Sequence, residues 1–492
     1  MRRFTLLLTV LTGFVWNANS QNVAIGQWKS HLSYNAPMSV VDAGDVVYCA
    51  NNLSLFSYNK TDFSYERLST AAGFSDVGIK GIYYDDLKHS LVIAYTNSNI
   101  DFVLDGEIYN FPFIKSSNVS GDKNIYCASF SGDTVILSCG FGIVLFDINK
   151  KESPATYYFT DTAGANFRVN SSTVFENYIY AATANGVYRG SLSNPLLENF
   201  NSWDKVDGEG EPADSNTSFI TTFNNELYAL QGDTILVSDG DTWNNFFFET
   251  GWHTAHLYTA NNHLLITQTY GINIPPDSSR SISMDIPGNI STIQSPTALT
   301  YPQQSTIDIN GRYWIADLYK GLVSTDGTDY QYYLPNGPYS SKVFDMNITN
   351  NIVWVAPGEI NPSWIYEYNA DGFFVYEYGH WLTYNKYFFP ALDSLLDFVT
   401  VEVDKNTNVA YFGSYGGGLL EYDKNSLSIK VYKQGFVQPA VGDESKYKVS
   451  GLKLDAGNNL WIANYGAENP VSVKKADGTW KTFTDFSLDG FD

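Results

Sequence analysis

The chain of 492 residues is poor in sulfur, with 3 cysteines and 4 methionines, and carries 29 basic residues against 52 acidic ones. Three cysteines are an odd number, which excludes a disulfide framework as the organising principle of the fold. The six histidines are scattered; only His253 and His256 stand close together, and no third ligand lies nearby to complete a metal set. A formal net charge of −23 repels phosphate backbones and excludes nucleic acid as a partner. It also opposes unaided contact with anionic headgroups, for which a divalent cation would have to bridge. The acid is spread through turns, as solubility requires. Beyond the first 20 residues no stretch approaches the roughly 18 apolar residues of a membrane helix. No Ser/His/Asp or Cys/His arrangement is legible, so no catalytic, cofactor-binding or metal residue is expected, and no ligand-binding residue can be assigned.

The N-terminus is the one long apolar segment. MRR gives a positive start, FTLLLTVLTGFVW an apolar core, and Ala18 and Ser20 put small residues before a cut at Gln21. Residues 1–20 therefore read as a signal peptide. With no Cys after the apolar core there is no acylation site, and a soluble exported protein is expected. Cys49 and Cys139 fall within apolar strand cores, as packed free thiols do. Cys127 and Cys139 fall on what would be neighbouring strands, which leaves a bond between them open.

What the sequence has in abundance is tyrosine (36), phenylalanine (31) and glycine (39), a mixture that favours strands and turns. It also repeats itself. A four-residue core, usually ending in a small residue, recurs as VYCA at 47, LVIA at 91, VILS at 135, IYAA at 179, LYAL at 227, LLIT at 264, YWIA at 313, VWVA at 353, AYFG at 410 and LWIA at 460. The second positions, from Tyr48 to Trp461, are 37 to 57 residues apart, the period of a four-stranded propeller blade. Each copy sits among hairpin turns and alternating strands, so an all-β fold of two β-propellers is expected. The small fourth residues are expected near a crowded central axis. Trp314, Trp354 and Trp461 are expected in the core between blades. Ten blades exceed one ring, so a first propeller of six or seven blades is expected, ending between about 298 and 340 and taken as 21–298, and a second, incomplete one over 299–492, with the Ser- and Pro-rich stretch 273–298 as the boundary region. SLDGFD follows the last closing strand where another blade would be due, so a second propeller that is truncated, open or completed by another segment is expected.

Three features invite chemistry. SDGDTW at 238–243 and ADGTW at 476–480 resemble sialidase aspartate boxes, yet Asp-Gly is also a hairpin turn, with Trp243 and Trp480 opening the closing strand. DKNTN at 404–408 and DKVDGEGEPAD at 204–214 are acidic but lack the spacing of an EF-hand loop. The aromatic run YEYGHWLTYNKYFF at 376–389 is the best candidate contact surface, although alternate residues of a closing strand must pack inward.

GQWKSHLSYNAPMSVVDAGDVVYCANNLSLFSYNKTDFSYERLSTAAGFSDVGI, TNSNIDFVLDGEIYNFPFI and GFGIVLFDINKKE resemble the N-terminal propeller of the PorZ family, components of the type IX secretion system of Bacteroidetes. RYWIADLYKGLVSTDG, LPNGPYSSKVFDM and the segment from WLTYNKYFF to GSYGGGLLEYD resemble the family's later propeller, and also the propeller repeat of two-component regulators. The resemblance implies two seven-bladed propellers followed by a C-terminal β-sandwich. It implies a non-enzymatic subunit of the cell-surface attachment complex, beside a PorU-like sortase and a PorV-like barrel, with anionic lipopolysaccharide as a ligand. The family offers no compact motif from which to carry over site residues. The rival readings are the extracellular sensor propeller of a hybrid two-component regulator and a polysaccharide-active enzyme.

Overall fold

All ten core repeats lie on strands, and each lies on the second strand of a four-stranded antiparallel unit. The computed structural model describes residues 28–206, 216–240 and 242–484. The signal peptide expected at 1–20, most of the acidic loop 204–214, Asp241 and the terminal SLDGFD lie outside the described residues. Residues up to His31 group apart from the unit that begins at Leu32, and 28–31 carry no regular secondary structure. In that unit, blades 1 to 10 span 39–68, 79–110, 125–158, 169–205, 217–247, 252–294, 302–333, 345–384, 398–432 and 447–483. Among the described residues the helical elements are one short helix, Phe113–Ser116, and three 3-10 turns, so the chain is all-β.

Local sequence explains the hairpins. Asn-Asn pairs join the first and second strands of blades 5, 6 and 8, with both residues at positive φ: 48° and 61° at Asn224 and Asn225, 45° and 58° at Asn261 and Asn262, 53° and 61° at Asn350 and Asn351. That is the type I′ geometry that matches strand twist, and Asn tolerates it better than most residues.

The core lies between blades rather than within them. Blades 1 to 7 each pack against the next, and blade 7 packs back on blade 1, where Trp314, Leu322 and Tyr333 join Val40, Val47, Phe56 and Tyr58. Tyr58 and Tyr333 meet at 4.3 Å between ring centroids, and Ser39 Oγ donates to Gln304 Oε1 at 2.8 Å across the same seam. This closure puts the end of the first ring within the expected range 298–340 and past the nominal 298/299: residues 302–333 complete it as a seventh blade. The stretch 273–298 supplies the third and fourth strands of blade 6, Ser278–Asp285 and Ile290–Gln294. Its alternation escaped notice because serines carry it, with Ser281 Oγ bonded to Ser305 Oγ at 2.8 Å and Ser283 Oγ to the Tyr313 hydroxyl at 2.5 Å.

Blades 8, 9 and 10 form an incomplete second propeller, joined by two further apolar clusters and by bridges from Tyr415 to Lys448 and from Gly416 to Tyr447. Trp314 and Trp354 are buried as expected. Trp461 corrects the expectation: it is 41% exposed, because among the described residues no blade follows to cover its face. At Gly413 the small fourth residue serves close packing: a Cβ there would lie 2.6 Å from Thr400 Cγ2 on the neighbouring strand and 2.7 Å from Val449 Cγ1 of blade 10. All three cysteines are free thiols; Cys127 lies on the strand beside Cys139, opposite Ser138.

Candidate functional site

Because the four strands of a blade alternate in direction, the loop after the second strand and the loop entering the first strand share one face of the propeller. On that face of blades 8 to 10 the chain gathers Trp364, Tyr366 and Tyr368 from the loop of blade 8, Tyr415 from blade 9, and Lys446, Lys448 and Tyr465 from blade 10. The Trp364 ring lies flat on Tyr465, with centroids 5.0 Å apart and planes 7° from parallel. Lys448 Nζ is 5.5 Å from the rings of Tyr366 and Tyr415 and 5.9 Å from Tyr465; Lys446 Nζ is 5.3 Å from Tyr366. These are cation–π distances. Among the described residues neither lysine forms an ion pair with a carboxylate.

The loop is held in an unusual conformation. Trp364 and Tyr368 both have φ of 60°, a region costing bulky residues about 1–3 kcal/mol. The Asn361 carboxamide secures one end by accepting from the amides of Ser363 and Ile365, at 2.9 and 3.0 Å. Buried Asp397 secures the other by accepting from the amides of Tyr368 and Asn369, both at 2.9 Å. The Tyr415 hydroxyl donates to the Trp364 carbonyl at 3.1 Å, which ties blade 9 to the loop. The Tyr366 phenol is raised by its hydrogen bond with Tyr368, by burial and by nearby Asp443, so it stays neutral around pH 7. Trp364 remains 51% exposed. An exposed flat ring beside two ammonium groups suits a ligand with an apolar ring face and a negative charge.

The run 376–389 is only partly such a surface. Tyr384 packs inward, stacked on Phe373 at 4.7 Å, whereas Tyr378, Tyr387 and Phe388 are exposed. The Asp-Gly motifs are turns: Asp477 Oδ1 accepts from the amide and hydroxyl of Thr479, and Trp243 and Trp480 each open a fourth strand. Asp404 of DKNTN turns inward on its own loop, accepting from the amide of Asn406 and the hydroxyl of Thr407. His253 Nδ1 lies 2.9 Å from Asp233 Oδ2, while His256 packs between Phe219 and Tyr258. The aromatic–lysine patch escaped the sequence reading because its members come from three blades. One signal was present: AYFGSYG and LWIANYG place Tyr415 and Tyr465 at the same offset from the core repeat.

Residues 47–204, within the closed ring, match the family model described as TSS9, PorZ, N-terminal beta-propeller domain. Over this stretch the chain is similar to the PorZ N-terminal propeller. The solved structure of PorZ from Porphyromonas gingivalis, described as an essential bacterial surface component of the type IX secretion system, superposes with a TM-score of 0.79 at 19% identity. The alignment covers 94% of this chain and 60% of PorZ, so the chain spans about three fifths of that protein. An ancestral GH74 enzyme shares the fold at a TM-score of 0.58 and 12% identity, with 94% of this chain and 78% of that one covered. The extracellular domain of a hybrid two-component system of B. thetaiotaomicron aligns at a TM-score of 0.44 and 14% identity, over 96% of this chain and 60% of that one. No curated protein matches the sequence.

Proposed function

We propose that this chain is a non-enzymatic, PorZ-like component of a type IX secretion system, exported to the outer surface of a Gram-negative cell. The observation that carries the reading is the match of residues 47–204 to the PorZ N-terminal propeller. The propeller faces would hold partner proteins, a PorU-like sortase and a PorV-like barrel by resemblance. No helix among the described residues is long and apolar enough to cross a membrane. In this reading attachment to the surface runs through such partners or through lipid-linked glycan.

The glycan ligand in this reading is anionic lipopolysaccharide, and the patch around Trp364 is its proposed seat. A net charge of −23 makes capture of an anion uphill for most of the surface. Lys446 and Lys448 lack carboxylate partners among the described residues, so they keep a local positive field, and the exposed Trp364 face supplies stacking area. Purified lipopolysaccharide titrated against the chain should bind more weakly as salt rises. Trp364→Ala, and separately the pair Lys446→Gln and Lys448→Gln, should weaken binding about tenfold or more. Binding indifferent to salt and to these substitutions would remove the glycan seat. A deletion strain that still secretes and attaches cargo normally would remove the assignment to the secretion system.

A further inference from the structure

Where the closed ring meets blade 8, loops border an open cleft of about 480 Å³, within the range of about 300–1,000 Å³ that small-molecule sites occupy. Blade 1 supplies Asn52 and Leu53 from the loop after its second strand, and blade 7 supplies Tyr319 from the equivalent loop. The linker to blade 8 supplies Tyr339 and Ser340, and blade 8 itself supplies Asp371. Other side chains hold this frame in place. Ser33 Oγ and Asn35 Nδ2 both donate to the Tyr339 carbonyl, at 2.7 and 2.8 Å. The Asn51 carboxamide is wholly committed: Oδ1 accepts from the amides of Leu53 and Ser54 at 2.8 and 2.7 Å, and Nδ2 donates to the carbonyls of Ser33 and Asn35 at 3.0 and 2.6 Å.

The polar groups left over on the walls include both donors and acceptors. Among the described residues the Asn52 carboxamide and the Tyr319 and Tyr339 hydroxyls make no hydrogen bond within the protein, and Asp371 uses only Oδ2, accepting from Asn369 Nδ2 at 3.2 Å. The Tyr339 phenol is pushed up to about 12 by burial and then by Tyr387, Asp371 and Tyr319, so these groups stand close to one another. The Lys342 ammonium, which also feels Asp371, is paired with Glu359. Aromatic area lies beside the polar groups. Tyr319 is half-exposed, and the Tyr339 ring continues into Tyr387, an exposed member of the run 376–389, with centroids 6.4 Å apart and planes 30° from parallel.

We propose that this cleft binds a neutral pyranose sugar, its hydroxyls bonded to Asp371, Asn52 and the two phenols and its C–H face lying on Tyr319. A sugar hydroxyl donates and accepts at once, which suits a wall that offers a carboxylate, a carboxamide and phenols together. An ammonium group only donates and would leave the Asn52 N–H groups unmet, and an anion would face Asp371. A bare metal ion lacks a ligand set, because among the described residues no three His, Cys, Asp or Glu side chains converge to hold one. Tyrosine supplies rigid area with a polar tip, and asparagine and serine supply adaptable hydrogen bonds. The inference does not rest on the lipopolysaccharide reading: that seat calls for a negative charge on Trp364 and two lysines, and none of the three lines this cleft.

Saturation-transfer NMR of the full chain with the methyl α-pyranosides of glucose, galactose, mannose and N-acetylglucosamine should show saturable transfer to at least one of them, and methyl glucuronide, which carries a carboxylate, should show none. Dextran and yeast mannan separate the sources of the sugar: displacement of the bound glycoside by either marks a sugar within a polymer, and no displacement marks a free one. Tyr319→Ala and Asp371→Asn should each weaken binding about tenfold or more with an unchanged melt, while Trp364→Ala should leave it as it was. The proposal is overturned if none of the four glycosides gives saturable transfer, if methyl glucuronide equals the best of them, or if either cleft variant keeps the parent affinity. Loss of binding in Trp364→Ala would overturn it too, by moving the sugar to the aromatic–lysine patch.

Discussion

His256 shows how a single ring records its surroundings. Burial between Phe219 and Tyr258 pushes its imidazole down to about 4. An unfolded histidine titrates near ~6.5, so between those values the unfolded chain takes up a proton that the folded chain refuses. Stability is therefore full above about pH 6.5, falls as pH drops toward 4, and levels off below. The carboxyl of Asp455, held down to about 2 by the Asn459 and Trp461 side chains, acts in the opposite part of the scale. Its stability contribution is present above the ordinary carboxylate range, about pH 4, and is lost as pH falls through about 2, so the two slopes do not overlap. Urea midpoints of His256→Gln and the parent at pH 7.5 and pH 5.5 should show the parent losing more stability on acidification; equal losses would place the ring in water.

At the scale of a blade, what matters is whether both faces of the sheet are covered. Trp354 of blade 8 is fully buried against blade 9, its ring 6.4 Å from Phe412 and 6.1 Å from Tyr422. The equivalent Trp461 of blade 10 stacks on Phe483 at 5.6 Å and donates Nε1 to Asp455 Oδ2 at 3.0 Å, with its outer side open. The same letter at the same repeat position therefore carries different energy. Trp354→Ala should cost about 3–5 kcal/mol and Trp461→Ala less than about half of that. Denaturant unfolding of the two variants side by side reads the difference, and equal losses would mean that Trp461 is covered in solution.

For the whole molecule, the closed ring and the three-blade arc differ in what they leave unburied. Every blade from 39 to 333 has a neighbour on each side, whereas the arc exposes Met346 and Ile348 at one end and Trp461 at the other. A chain ending at residue 343 should retain a β-rich circular-dichroism spectrum and a cooperative melt. Residues 345–484 alone should aggregate, since exposed apolar sheet faces associate. Loss of cooperative melting in the shorter chain would show that the ring needs the arc.

Taken alone, the sequence determined whatever is local and periodic: ten second strands, the Asp-Gly turns, and the burial of Trp314 and Trp354. These follow from residue spacing and from backbone conformations that few side chains tolerate. The resemblance to PorZ was also legible, because it rests on contiguous segments. Three things were settled only by the tertiary structure. The ring closes at seven blades, since closure depends on Trp314 and Tyr333 meeting Tyr58 more than 250 residues earlier. Blade 6 is regular although serines replace apolar residues along its third strand, because hydrogen bonds to Ser305 and Tyr313 fill the role of apolar contacts. The patch at Trp364 assembles side chains from three blades, and a one-dimensional pattern carries no record of which loops share a face.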